Sequence, residues 1–318
     1  MKKQILLSFL AGLVLPVVLA AVFRALPVPE APPRESLSIP ETVPAAGDGT
    51  QLLTVLDKTG KPRSMDLGSY LVGVVLAEMP ADFEPEALRA QAVVARTYTR
   101  KRMEGSKHEG AAVCMDSGCC QGYRDPEDYL ADGGREEAVQ KVQSAVADTD
   151  GYVLTYEGAL IDATYFSCSG GSTEDAVAVW GRDVPYLQAV QSPGEEAAPR
   201  FSDTVTFSAA DFAKKLGLNA AGDPADWFED VTYTDGGGVD TMVIRGREFS
   251  GTQLRAKLGL RSTAMEVEVR GDRITVRTRG FGHRVGMSQY GAQAMAKNGC
   301  GYAEILAHYY TGAQLVLW

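Results

Sequence analysis

Apolar positions fall into three kinds of stretch along this chain. The first is an uninterrupted run from Ile5 to Phe23, preceded by Lys2 and Lys3 and closed by Arg24. Its nineteen residues approach the ~20 needed to cross a bilayer and exceed the ~7–15 of a secretory signal core. Residues 1–26 are therefore expected to form cytoplasmic lysines and a single transmembrane helix. The lysine pair then stays inside by the positive-inside rule, and the rest of the chain is extracytoplasmic at the cell membrane. Val18-Leu19-Ala20 also fits a cleavage site, so cleavage stays open. The second kind is nearly empty of bulky apolar residues: residues 27–50 carry six prolines with Glu, Ser, Ala and Gly, the composition of a semi-rigid spacer.

From Gln51 to Trp318 apolar positions recur with the periods of strands and helices. QLLTVLD reads as a strand and Lys58-Thr59-Gly60-Lys61 as a turn; Asp66 is placed to cap a helix that Pro80 ends. Pro85 opens a second helix to about Met103. A third is expected over Arg135 to Thr149, followed by a hairpin of YVLTY and ALIDATYF. Residues 188–271 read as a smaller inserted α/β unit, after which a Gly-rich loop leads into two closing helices, GAQAMAKNG and YAEILAHYY. This order of mixed helices and strands predicts an α+β fold.

Composition narrows the function. With 31 basic against 41 acidic residues the net charge is -10 and no long basic run exists, so no nucleic-acid partner is expected. Five places carry candidate chemistry. Glu78 follows an apolar run, with Leu71, Val74 and Val75 on its own helical face; such surroundings raise a carboxyl pKa as a general acid requires, while a solvated helix-end glutamate is the plainer alternative. Arg96 lies among Val93, Val94, Ala95 and Tyr98 and wants either a protein partner or an anionic ligand. FSCSGGST offers Ser167, Ser169, Ser172 and Thr173 around a flexible glycine pair suited to sugar hydroxyls, or else a plain turn. His283 sits among glycines in GFGHRVGMSQYGAQ, a loop more suited to function than to packing. Finally, His108, Cys114 and Cys120 are separated by five residues each time; imidazole with thiolate suits zinc, and a disulfide remains the rival reading.

YLVGVVLAEMPADFEPEALRAQAVVARTYTR, CMDSGCCQGY, SCSGGSTEDAVAVWGRDVPYLQAV, GTQLRAKLGLRST and GFGHRVGMSQYGAQAMAKNG, in this order, resemble the stage II sporulation protein D family, and more loosely the amidase-enhancer domains. The resemblance implies a membrane-anchored lytic transglycosylase with residues 51–318 as its catalytic domain. It would cleave the β-1,4 bond between N-acetylmuramic acid and N-acetylglucosamine in peptide-free peptidoglycan strands during engulfment. Its partners would be a sporulation cell-wall amidase and a membrane protein. It implies Glu78 as catalytic acid, and Arg96, Ser167, Ser169, Gly170, His283 and Gln289 as substrate contacts. It also implies one structural zinc on His108, Cys114 and Cys120. The chain departs from the family where Arg284 replaces a glycine beside the loop histidine, where Cys168 stands for Thr or Ser, and in the extra Cys119. A non-catalytic, glycan-binding amidase activator is the alternative.

Overall fold

The computed structural model describes residues 47–318. The expected anchor and most of the spacer lie outside them. No helix among the described residues is long and apolar enough to cross a membrane.

The folded part begins earlier than the composition suggests, with a 3-10 turn over Asp48–Thr50 whose Asp48 is buried. Strands β1 (Leu52–Leu56) and β2 (Pro62–Asp66) form an antiparallel hairpin. Helix α1 (Leu67–Glu78) starts on the Asp66 cap, its carboxylate accepting from the Ser69 N–H, and ends before Pro80. It is apolar nearly all round and accordingly buried. Helix α2 (Pro85–Glu104) packs against α1 and runs through the centre of the molecule. The short β3 (Val113–Cys114) then pairs parallel to β1. Helices α3 (Pro126–Ala131) and α4 (Glu136–Ala147) follow, with α4 laid against both α1 and α2.

The predicted hairpin is shorter than expected. Strand β4 (Tyr152–Tyr156) pairs with only two residues, β5 (Ala159–Leu160). The chain then turns away, so that β6 (Tyr165–Phe166) runs parallel to β13 (Met287–Ser288) of the Gly-rich loop. This diversion takes Tyr165 out of the hairpin. Helix α5 (Ala176–Trp180) follows and ends on Gly181 at φ 68.

Residues 202–279 build a second core. Strands β7 (Ser202–Ser208), β11 (Ala264–Arg270) and β12 (Arg273–Arg279) make one antiparallel sheet in the order β11-β12-β7. Strands β8 (Phe228–Tyr233), β9 (Val239–Ile244) and β10 (Arg247–Ser250) make another, with β9 central. Helices α6 (Ala209–Leu216) and α7 (Gly251–Leu258) pack on each other around Phe207, Phe212, Trp227, Ile244 and Phe249. The unit takes in β12 and so runs past Gly271. It leaves and rejoins the chain at one place, where the Gly280 N–H donates to the Phe201 carbonyl at 2.7 Å. Helices α8 (Gln289–Lys297) and α9 (Tyr302–Tyr309) and strand β14 (Gln314–Leu317), which pairs with β4, close the main core.

Candidate active site and His/Cys cluster

Glu78 is the last residue of α1, and three neutral groups meet its carboxyl. The Gly122 N–H donates to Oε1 at 2.5 Å, and the Tyr165 hydroxyl and the Gln289 side chain also hydrogen-bond to it. Burial pushes the Glu78 pKa up, against the pull of these bonds. The helix end is thus half-buried in protein, as a general acid needs, and the solvated alternative does not apply.

Two glycines permit this arrangement. A Cβ at Gly73 would stand 2.2 Å from the Tyr123 ring, so only a bare α1 backbone lets residues 121–124 cross the helix. There the Arg124 N–H reaches the Gly73 carbonyl at 3.0 Å and Tyr123 stacks on Tyr70. A Cβ at Gly122 would lie 3.0 Å from Glu78 Oε1, so the amide comes this close only because no side chain intervenes.

Gln121, fully buried, extends the network. Its Nε2 donates to Thr99 Oγ1 of α2 at 3.0 Å, and its Oε1 accepts from the Tyr165 hydroxyl at 3.3 Å. Gln121 and Gly122 directly follow Cys120, so the amide that meets the Glu78 carboxyl lies two residues along the chain from the His/Cys cluster.

That cluster comprises His108, Cys114, Cys119 and Cys120, whose ligand atoms all lie within 4.8 Å of one another. His108 Nε2 is 3.2 Å from Cys120 Sγ and 3.7 Å from Cys119 Sγ, and all the thiols are free. Ligand separations in a tetrahedral zinc site with Zn–S ≈ 2.3 Å are about 3.5–3.8 Å, so the spacing and the soft donors fit a metal ion. Cys119, named in the sequence only as an extra cysteine, is placed as a fourth donor of the group. Strand β3 fixes Cys114 by pairing it with Leu56 of β1.

The other expected contacts divide. Gln289 touches Glu78 and is nearly buried. Ser167 and Gly170 are half-buried in the turn after β6. Arg96, expected to meet substrate, has no exposed surface: its Nε donates to Asp48 Oδ2 at 2.7 Å, and its Nη atoms to the Val146 and Tyr152 carbonyls and Thr149 Oγ1. It is a structural ion pair, and its partner came from the expected spacer. Ser169 is likewise fully buried, its hydroxyl donating to Glu195. His283 is hydrogen-bonded to two stretches of backbone. Nδ1 accepts from the Val285 N–H at 3.1 Å, the ring also hydrogen-bonds the Tyr165 backbone, and burial lowers its pKa to about 4, so it is neutral. It braces Tyr165 and is not a free polar tip. Cys168 is buried with its pKa raised to about 11 by burial, an inert thiol.

Three residues escaped sequence reasoning. Tyr165 was read only as part of a strand. Glu195 is buried, and its Oε2 accepts from the Ser169 and Gly170 N–H groups and the Ser169 hydroxyl, each at 2.8 Å. Its Oε1 accepts from Ser192 Oγ and from Ser288 Oγ, the cap of α8 directly before Gln289. Glu174 pairs with Arg284 at 2.8 Å, both buried. Arg284 holds φ 66, in the left-handed region that favours glycine. Its guanidinium also donates to the carbonyls of Ser169, Ser172 and Gly236. The turn 169–172 is therefore held by its amides from Glu195 and by its carbonyls from Arg284.

Fold and site together define an α+β protein in which a half-buried carboxyl, held by neutral groups, adjoins a cluster fit for a metal ion. Residues 57–156 match the family model for stage II sporulation protein. The chain is 41% identical over 258 residues to stage II sporulation protein D of Bacillus amyloliquefaciens, covering 79% of this chain and 74% of that one. It is 42% identical to the Bacillus subtilis protein of the same name over 79% and 75%. An amidase enhancer of Bacillus subtilis is 31% identical, covering 77% of this chain and 40% of that protein. The chain belongs to the stage II sporulation protein D family.

Proposed function

We propose that this protein is a lytic transglycosylase acting on peptidoglycan glycan strands during sporulation. The observation that carries the reading is a single carboxyl, Glu78, with its pKa raised by burial and met only by an amide, a phenol and a carboxamide. A retaining glycosidase needs a second carboxyl ~5–5.5 Å away and an inverting one ~6.5–9.5 Å away. An intramolecular nucleophile removes that need. Protonated Glu78 gives its proton to the glycosidic oxygen as the bond from the muramic C1 breaks. The resulting carboxylate accepts the proton of the muramic C6 hydroxyl as that oxygen bonds to C1. The product is a 1,6-anhydro sugar, no water is consumed, and Glu78 ends protonated as it began. Hydrogen bonds from Gly122, Tyr165 and Gln289 stabilise the transient carboxylate.

In this reading His108, Cys114, Cys119 and Cys120 would hold a structural zinc. With four protein donors the ion would supply folding energy to the loop that presents Gly122 and would take no part in the reaction. The enzyme is anchored through residues 1–26 with residues 51–318 outside the membrane, working beside a cell-wall amidase and a membrane partner on peptide-free strands.

The test is mass analysis of peptide-free glycan incubated with the pure protein. Anhydro-ended fragments are expected from the wild type and none from Glu78→Gln with glycan binding retained; unchanged release by that variant would sink the assignment. The amidase-enhancer relative favours a second reading, a glycan-binding activator of an amidase. It predicts no fragments from the wild type alone and a stimulated amidase when both proteins are present.

A further inference from the structure

Exposed large apolar side chains are few among the described residues, and two of them, Val177 and Trp180, share one face of α5 at 52% and 43% exposure. Trp180 is the last residue of that helix, which the left-handed Gly181 stops at once. Its ring lies against His283, with centroids 5.4 Å apart, and His283 packs in turn on Phe166 at 5.5 Å. His283 also hydrogen-bonds the backbone of Tyr165, whose hydroxyl meets Glu78. One imidazole thus separates Trp180 from the residue that holds the acid.

This placement is costly for a surface that nothing covers. Close to half of the indole meets water, and the neutral imidazole behind it is already committed to the Val285 and Tyr165 backbones. Two residues beyond Trp180, the exposed Arg182 pairs with Asp162 at 3.5 Å. An exposed indole close in the chain to a charged pair, and one imidazole from the residue that meets Glu78, suits a hexopyranose, whose ring face carries C–H bonds while its edge carries hydroxyls.

We propose that the exposed face of Trp180 is a stacking platform for an N-acetylhexosamine ring of the glycan strand, held in line with Glu78 through His283 and Tyr165. The proposal rests on the glycan reading of the site. It assigns Trp180 to strand binding and leaves the bond-breaking step to Glu78. Replacement of Trp180 should therefore weaken KM and spare kcat.

The chain contains three tryptophans, and Trp227 is buried, so Trp318→Phe leaves Trp180 as the one exposed indole. Peptide-free glycan strands titrated into the full-length, metal-loaded Glu78→Gln, Trp318→Phe protein should give a saturable blue shift of its emission. Trp180→Ala, in the wild-type background, should raise Kd and KM about tenfold, the scale of one lost stacking contact, with kcat within twofold. Trp180→Phe should recover most of the affinity. Should the alanine variant fail to fold, the emission shift and the phenylalanine variant decide the matter. Unchanged emission at saturating glycan overturns the platform. So does a loss of kcat at constant KM, or a shift elicited by a partner amidase and not by glycan. Because binding is read on a protein that lacks the acid, a wild type that binds but releases no fragments would overturn the lyase reading and leave the platform standing.

Discussion

At the scale of single residues, the site depends on how buried charges are satisfied. In the proposed reaction Glu78 begins protonated, and burial raises its pKa, so on that reading cleavage is expected to fall as pH rises through the raised value. The stability sign agrees: a carboxyl that binds its proton more tightly when folded makes the fold more stable at low pH and less so as pH climbs through the folded pKa. A pH series of kcat, set beside the melting temperature of wild type and Glu78→Gln, checks both. The glutamine variant should gain on the wild type as pH rises from the ordinary carboxyl range to that raised pKa, and hold the gain above it.

Glu195 allows a sharper comparison. Two of its donors are backbone amides that cannot turn, whereas the Ser192 and Ser288 hydroxyls can reverse roles. Glu195→Ala should therefore destabilise by about 3 kcal/mol, since buried N–H groups lose their acceptor. It should also lower kcat about tenfold with KM little changed, because Ser288 no longer fixes the start of α8 and hence Gln289 on Glu78. Glu195→Gln should restore most of both, read by urea melts and initial rates.

Some of this was legible in the sequence. The apolar run before Glu78 announced its burial, and the cysteine spacing announced the cluster. Arg96 was legible only as a charge in an apolar place; that its partner would be Asp48, 48 residues earlier in a proline-rich stretch, is not a local property. Tyr165 and Glu195 acquire their roles through contacts 26 to 93 residues away or more, which no periodicity encodes.

Between elements, the decisive crossing is that of residues 121–124 over α1 at Gly73. The cluster sets where that crossing starts, because Cys120 is followed at once by the two residues that reach Tyr165 and Glu78. Loss of a metal would free the segment between β3 and α3 while leaving the packing of α1 on α2. Chelation of the purified protein, or Cys120→Ser, should lower the melting temperature by several degrees and abolish fragment release together. Near-UV circular dichroism should report the freed Tyr123. Activity lost at unchanged melting temperature would instead indicate a metal that acts in the reaction. The helices around this crossing were readable from Asp66, Pro80 and Pro85. The diversion of β6 was not, since the sequence of ALIDATYF suits a longer hairpin and only pairing with β13 removes its end.

Across the whole molecule, two cores meet on one guanidinium. Arg284 reaches the main body at Ser169, Ser172 and Glu174, and the smaller unit at Gly236 and Thr263. Removing it would strand the Glu174 carboxylate in a dry interface, at a cost of about 3–5 kcal/mol. Arg284→Ala is expected to unfold at lower urea and to be cut by proteases at the junctions near residues 200 and 280 well before wild type. Arg284→Gly, which restores a residue at ease with φ 66, should recover none of the loss; full recovery would show that backbone strain, not the ion pair, was at stake.

The buried pair of Asp48 and Arg96 has a mechanical side as well. The described residues begin beside it, at Gly47, and the Asp48 N–H is also tied to Asp150 at 2.7 Å. Arg100, one turn further along α2, reaches both Asp48 and the Trp318 carbonyl at the other end of the chain. A pull on the chain at Asp48 would therefore load the central helix directly, through Arg96 and Arg100.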